Sequence, residues 1–261
     1  MQYKSYYLFK RIVKLARILY TIWCIVWFIL IMLIIFPLIL IASLFGRVTG
    51  GNLIYRLCNI WGDMWMFVCV ISHNNIYQAP HNRSKQYIFV SNHISYIDAA
   101  VVVKTLRQNI RVLGKIEMAK IPVFGFIYKY AVVLVDRSDA AHRLQSINTL
   151  TSVLKRKISV FIFPEGTFNM THKPLKDFYN GAFRIAIETQ TPIKPVLFLD
   201  AYDRMNYESI FSLNPGRSRS VFLEETITNG MTSEDIPALK EKIYRQMETA
   251  LIKYKASWIE N

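Results

Sequence analysis

The sequence predicts an α/β fold: a mostly parallel sheet covered by helices, carried behind an N-terminal hydrophobic helical segment that attaches to a membrane. Three observations predict it. Short, continuously apolar runs rich in Val, Ile and Phe alternate with helical runs from residue 86 onward, the pattern of strands buried on both faces. No charged residue occurs from Ile18 to Phe45, and about 20 apolar residues suffice to cross a bilayer core. Hydrophobic residues make up 52% of the 261 and mean hydropathy is +0.22, values that favour a membrane-associated protein over a purely soluble one.

Taken in order, residues 1–17 carry Lys4, Lys10, Arg11, Lys14 and Arg17 and no acid, a basic flank expected on the cytoplasmic side. Pro37 interrupts the apolar run and Gly46, Gly50 and Gly51 follow it, so the segment is expected to kink or turn. In the next apolar stretch Leu53, Leu57, Ile60, Trp61, Met64 and Trp65 form a helical stripe, suited either to a membrane interface or to packing on the protein. If the basic flank and the α/β domain both lie on the cytoplasmic side, the first segment must enter and return with its partner, or both must lie in one leaflet. The polar stretch 74–85, with Pro80, reads as a linker. The division expected is an attachment region at 1–73 and an α/β domain at 74–261.

Within that domain, strands are expected at 86–90, 110–113, 131–135, 158–163, 194–199 and 221–227. Helices are expected at 97–106, 140–156, 181–189 and from Thr232 to about Lys255. The last opens with Thr232-Ser233-Glu234-Asp235, a capping signal.

Lys and Arg number 32 against 18 Asp and Glu, a formal charge of +14. That excess suits membrane lipids or anionic substrates. A nucleic-acid partner is not expected, because no finger, homeodomain or aromatic RNA-binding signature accompanies the scattered basic residues. Cys24, Cys58 and Cys69 have no metal-type spacing and His73, His81, His142 and His172 are isolated; reduced thiols, no metal and no organic cofactor are expected.

The chemistry concentrates in Ser91-Asn92-His93-Ile94-Ser95-Tyr96-Ile97-Asp98, a turn between an expected strand and helix, where ligands bind in open α/β sheets. Five helical steps of about 100° would leave His93 and Asp98 roughly 140° apart. They can meet only if His93 precedes the helix. Asp98 would then hold the Nδ1 proton and leave Nε2 free as a general base. By spacing alone Asp98 reads equally as a helix-capping residue.

Asn92-His93 with Asp98 resembles the N-H-x4-D motif of the 1-acylglycerol-3-phosphate acyltransferase family, and Phe163-Pro164-Glu165-Gly166-Thr167 matches that family's third motif in full. The resemblance covers residues 86 to 200. It implies acyl transfer from acyl-CoA or acyl carrier protein to a lysolipid acceptor, with His93 and Asp98 catalytic. It also implies that Glu165, Gly166 and Thr167 lie at the acceptor. Lys115, in a loop similar to the family's segment before the second motif, is a candidate for a phosphate or the acyl carrier. Asp136-Arg137 resembles the end of that second motif, and Arg137 would offer a planar fork to a phosphate. Asn92 or a neighbouring amide would serve the oxyanion. Many members continue the third motif with Arg, where this chain has Phe168; Lys173 or Lys176 could supply the charge. The readings expected beside 1-acylglycerol 3-phosphate as acceptor are a different lysolipid acceptor and a non-catalytic basic membrane-binding module.

Overall fold

The computed structural model describes residues 2–136 and 140–260. Two helices lead the chain, α1 (Gln2–Ser43) and α2 (Gly51–Val68), followed by β1 (Ile71–Tyr77) and β2 (Ile88–Val90). Then come α3 (Asp98–Thr105), β3 (Ile110–Lys115), α4 (Phe124–Ala131), β4 (Val132–Val135), α5 (Ala140–Lys155) and β5 (Ser159–Ile162). The chain ends with α6 (Gly181–Glu188), β6 (Ile193–Phe198), α7 (Ala201–Arg204), β7 (Gly216–Phe222) and α8 (Ile236–Lys253). One seven-stranded sheet has the order β1-β7-β6-β2-β5-β3-β4. All neighbouring pairs are parallel except β6 with β7. Helices α1 to α4 pack among themselves, as do α5, α6 and α8. The sheet centre between them is dry: every residue of β2, β5 and β6 is buried. Residues such as Phe89 and Val160 thus have no face turned to solvent, and apart from Ser159 and Lys194 these strands are apolar.

Three expectations need correction. The division at residue 73 cuts through β1, whose Ile71 pairs with Gly216 and Tyr77 with Phe222. The linker therefore begins after Tyr77. This strand escaped notice because it is an edge strand, and its sequence Ile-Ser-His-Asn-Asn-Ile-Tyr stays partly exposed, as edges do. The last strand runs Gly216–Phe222 rather than 221–227; Ser218 and Ser220 point inward between the more exposed Arg217 and Arg219, so its alternation was carried by small polar residues. Helix α4 occupies what reads as loop, and Ala131 ends that helix instead of opening a strand.

The N-terminal segment turns, but not at Pro37, which lies inside α1. The reversal comes at Gly46–Gly50, where a Cβ on Gly50 would lie 2.4 Å from the Ala42 carbonyl oxygen. The two helices form an antiparallel hairpin tied by indole hydrogen bonds: Trp65 Nε1 donates to the Cys24 carbonyl at 2.8 Å and Trp61 Nε1 to that of Phe28 at 3.3 Å. Within the α2 stripe Trp65 packs into the protein while Ile60 and Met64 remain exposed. Asp63 accepts from Arg107 and Lys104, ion pairs that tie the hairpin to the end of α3. Residues Leu8–Ser43 are long and apolar enough to cross a membrane, and Ile22, Trp23, Ile25, Ile29, Leu33 and Ile34 are exposed along that helix.

Candidate active site

Because β2, β5 and β3 run parallel, their carboxyl ends share one sheet edge. The turn after β2 carries His93, and the segment after β5 carries Glu165. His93 lies before the first residue of α3, as the spacing required, and its Nδ1 stands 2.7 Å from Asp98 Oδ2. The same Oδ2 accepts the amides of Ile94 at 2.9 Å and Ser95 at 3.0 Å. Asp98 therefore does not cap α3, whose N-cap Ile97 has no side-chain hydrogen bond; it gathers the amides of the turn before the helix and holds the imidazole. An ionised carboxylate only accepts hydrogen bonds, so Nδ1 carries the proton and Nε2 presents its lone pair. Nε2 makes no hydrogen bond among the described residues, and the His93 side chain is 21% exposed while Asp98 is 1% exposed.

The backbone of His93 is gripped from the β5 side. Glu165 Oε1 accepts the His93 amide at 2.8 Å, and the Asn169 amide donates to the His93 carbonyl at 2.7 Å. The other Glu165 oxygen accepts the Lys176 amide at 2.8 Å. Glu165, expected at the acceptor, accepts a backbone amide on each oxygen and joins the His93 turn to the 176 segment from a buried position. Gly166, at φ +72°, closes the turn in a left-handed conformation, and a Cβ there would sit 2.7 Å from the Tyr179 ring. The close approach that this glycine permits is therefore made by Tyr179.

Burial pushes the Glu165 carboxyl up from 4.5 to about 8, against the pull of the two amides. A carboxyl with those two values binds more protons folded than unfolded across that window. Its contribution to stability is thus full below the window and declines as pH rises through it. Urea unfolding midpoints measured across this range are expected to fall with rising pH. Glu165→Gln should remove that slope and, by leaving one buried amide without its acceptor, destabilise the fold by about 1–3 kcal/mol. A slope unchanged in the variant would assign the pH dependence to another group.

The Asn92 amide nitrogen donates to the Phe198 carbonyl at 3.0 Å and its oxygen accepts the Phe198 amide at 2.9 Å. Both ends hold the His93 turn to β6, which leaves only the second amide hydrogen of this buried side chain for an oxyanion. Thr167 and Lys176 are brought together, with Lys176 Nζ donating to Thr167 Oγ1 at 2.6 Å on the exposed side of the turn. Lys115 ends β3 on the same edge, 57% exposed and paired with Glu117 at 3.0 Å. Arg137 lies outside the described residues. Among the described residues no three His, Cys, Asp or Glu side chains are grouped to hold a metal ion.

The aromatic surroundings of His93 were not anticipated. Phe163 stacks on the imidazole at 4.0 Å between centroids, and Phe168 meets it edge-on at 4.4 Å, with Tyr96 against Phe168 at 4.9 Å. An aromatic face attracts a cation above it, so Phe163 favours the imidazolium that forms when Nε2 takes a proton. Phe168, where many members of the resembling family carry Arg, is an inner wall of the site rather than a lost surface charge. The two phenylalanines bracketing Pro-Glu-Gly-Thr were the available signal.

Comparison with known proteins agrees with this arrangement. The acyltransferase family model matches residues 68–199, half of the chain. The 1-acyl-sn-glycerol-3-phosphate acyltransferase alpha of Mus musculus is 27% identical over 168 residues, 64% of this chain and 59% of that protein. The beta enzyme of Homo sapiens is 28% identical over 176 residues, 67% of this chain and 63% of that protein. The matches thus span about six-tenths of these relatives' length. In fold, the crystal structure of the 1-acyl-sn-glycerophosphate acyltransferase PlsC from Thermotoga maritima superposes with a TM-score of 0.70 at 20% identity, covering 96% of this chain and 99% of that one. With the motifs in order along one sheet edge and the family model spanning all of them, the chain belongs to the acyltransferase family.

Proposed function

We propose that this chain is an O-acyltransferase that moves a fatty acyl group from acyl-CoA or acyl carrier protein to the free hydroxyl of 1-acylglycerol 3-phosphate, giving phosphatidic acid. The observation that carries the reading is the His93–Asp98 hydrogen bond of 2.7 Å, with Nε2 unbonded among the described residues in a partly open side chain. Nε2 takes the proton of the acceptor hydroxyl as its oxygen attacks the thioester carbonyl. The tetrahedral intermediate then expels the thiolate, which recovers the proton from the imidazolium. Asp98 and the face of Phe163 stabilise that imidazolium. Lys176, beside Thr167 on the exposed rim, and Lys115 are the cations offered to the phosphates of acceptor and donor, with Arg137 as a further candidate. On this reading the α1–α2 hairpin attaches the enzyme to the membrane with its catalytic domain on the cytoplasmic face, supported by the basic residues that precede Ile18.

A second reading keeps the reaction and changes the acceptor to another lysolipid. It is favoured by Phe168, which sets an uncharged ring against His93. Transfer from labelled acyl-CoA or acyl carrier protein, measured in detergent with acceptors that differ only in a phosphate monoester, separates the two. Preference for the phosphomonoester supports the first. Equal or better use of an acceptor lacking it supports the second, and failure of every lysolipid with a verified fold and active donors refutes both.

A further inference from the structure

The direction of the strands shows where the start of α1 stands. β1 is parallel to β7, β7 is antiparallel to β6, and β6 is parallel to β2. The beginning of β1 therefore lies on the same edge as the end of β2 and the catalytic turn. The Tyr20 hydroxyl donates to the carbonyl of Cys69, just before β1, so residue 20 of α1 is level with that edge. The residues before it continue past the edge for about 27 Å at 1.5 Å per residue.

Between this overhang and the loop 206–212 runs a groove of about 650 Å³. Lys10, Lys14 and Arg17 line its helical wall, at spacings that set them on one face. None of the three forms an ion pair among the described residues. Glu208 is the one acid in the lining, so three cations face one carboxylate. The opposite wall is firm: Ser212 Oγ donates to the Ser209 carbonyl at 2.6 Å and the Phe211 amide to Ser209 Oγ at 3.1 Å. The loop is also joined to the catalytic turn, through the Ser95 hydroxyl on the Met205 carbonyl. Both walls carry an exposed apolar side chain, Val13 on the helix and Phe211 on the loop. Directly after Arg17 begins the uncharged run of α1.

We propose that this groove binds the headgroup of an anionic phospholipid of the membrane, distinct from the reacting acceptor. The order along α1, cations and then uninterrupted hydrocarbon, matches a lipid phosphate above its acyl chains, and basic residues at that depth attract anionic lipid. A soluble phosphate would meet the cations and leave the apolar rim without a partner. Through the Ser95–Met205 contact the bound lipid holds the catalytic edge against the membrane surface. The inference rests on membrane attachment through α1 but not on acyl transfer.

The test uses the full chain in neutral maltoside micelles doped with pyrene-tailed phosphatidylglycerol or pyrene-tailed phosphatidylcholine, reading energy transfer from the protein's tryptophans. Affinity for phosphatidylglycerol is expected to exceed that for phosphatidylcholine on the order of tenfold at low salt, narrowing as salt rises. Lys10→Gln, Lys14→Gln and Arg17→Gln combined should abolish the preference, the Lys10→Arg, Lys14→Arg pair should keep it, and Glu208→Gln should strengthen it. Equal transfer to the two lipids by the unaltered protein, or a preference that survives the triple change with circular dichroism unaltered, overturns the proposal. Displacement of phosphatidylglycerol by equimolar coenzyme A or inorganic phosphate also overturns it, assigning the groove to a soluble ligand. No turnover is measured, so failure here leaves the acyl-transfer reading standing, and failure of acyl transfer leaves this one.

Discussion

His93→Ala is expected to lower kcat by about a thousandfold, within the range that a positioned general base contributes. Among the described residues the side chain's only hydrogen bond is to Asp98, which keeps the amides of Ile94 and Ser95 as partners when the imidazole is gone. The backbone of residue 93 keeps its own grip on Glu165 and Asn169. The variant should therefore melt near the unaltered protein and bind membranes equally well while transferring no acyl group above background. Initial rates with labelled donor, beside a thermal melt, check both halves. Residual activity above a few per cent in a folded variant would remove His93 from the mechanism.

Asp98→Asn tests a different property of the same pair and should cost nearly as much. The Asn oxygen can still accept the Ile94 and Ser95 amides, so the turn is kept. Its NH2 then faces Nδ1 and can only donate, which forces the imidazole proton onto Nε2, the atom that must be empty to act as a base. Where an Asp–His pair has this arrangement in a serine protease, the Asn change lowers kcat by about 10⁴ with geometry intact; a fall of about 10³ or more is expected here. A rate within tenfold of the unaltered enzyme would mean that Asp98 only holds the turn through the Ile94 and Ser95 amides.

The two substitutions bear on the part of the site that local sequence could disclose. His93 and Asp98 are five residues apart in one turn, so their meeting depends on where α3 starts, and the apolar run after Asp98 marks that start. Glu165 and Gly166 were legible as a motif but not in their roles. Whether a carboxylate faces a ligand or a backbone amide depends on which segments lie beside it, and the partners of Glu165 are 72 and 11 residues away. The hydrogen bonds of Asn92 were hidden for the same reason, its partner lying 106 residues on in β6.

By itself the sequence determined the α/β class, the central strands, the apolar N-terminal helix and the His–Asp pair. These rest on hydrophobic periodicity and short-range spacing, which each segment carries on its own. Only the tertiary structure decided that the polar stretch at Ile71–Tyr77 is an edge strand, that the chain reverses at Gly46–Gly50, and that Phe163 and Phe168 enclose His93. An edge strand draws its hydrogen bonds from one distant neighbour and needs little apolar surface, so nothing local announces it. Rings become an enclosure when the sheet brings the end of β5 beside the end of β2, a pairing fixed by burial summed over the whole domain.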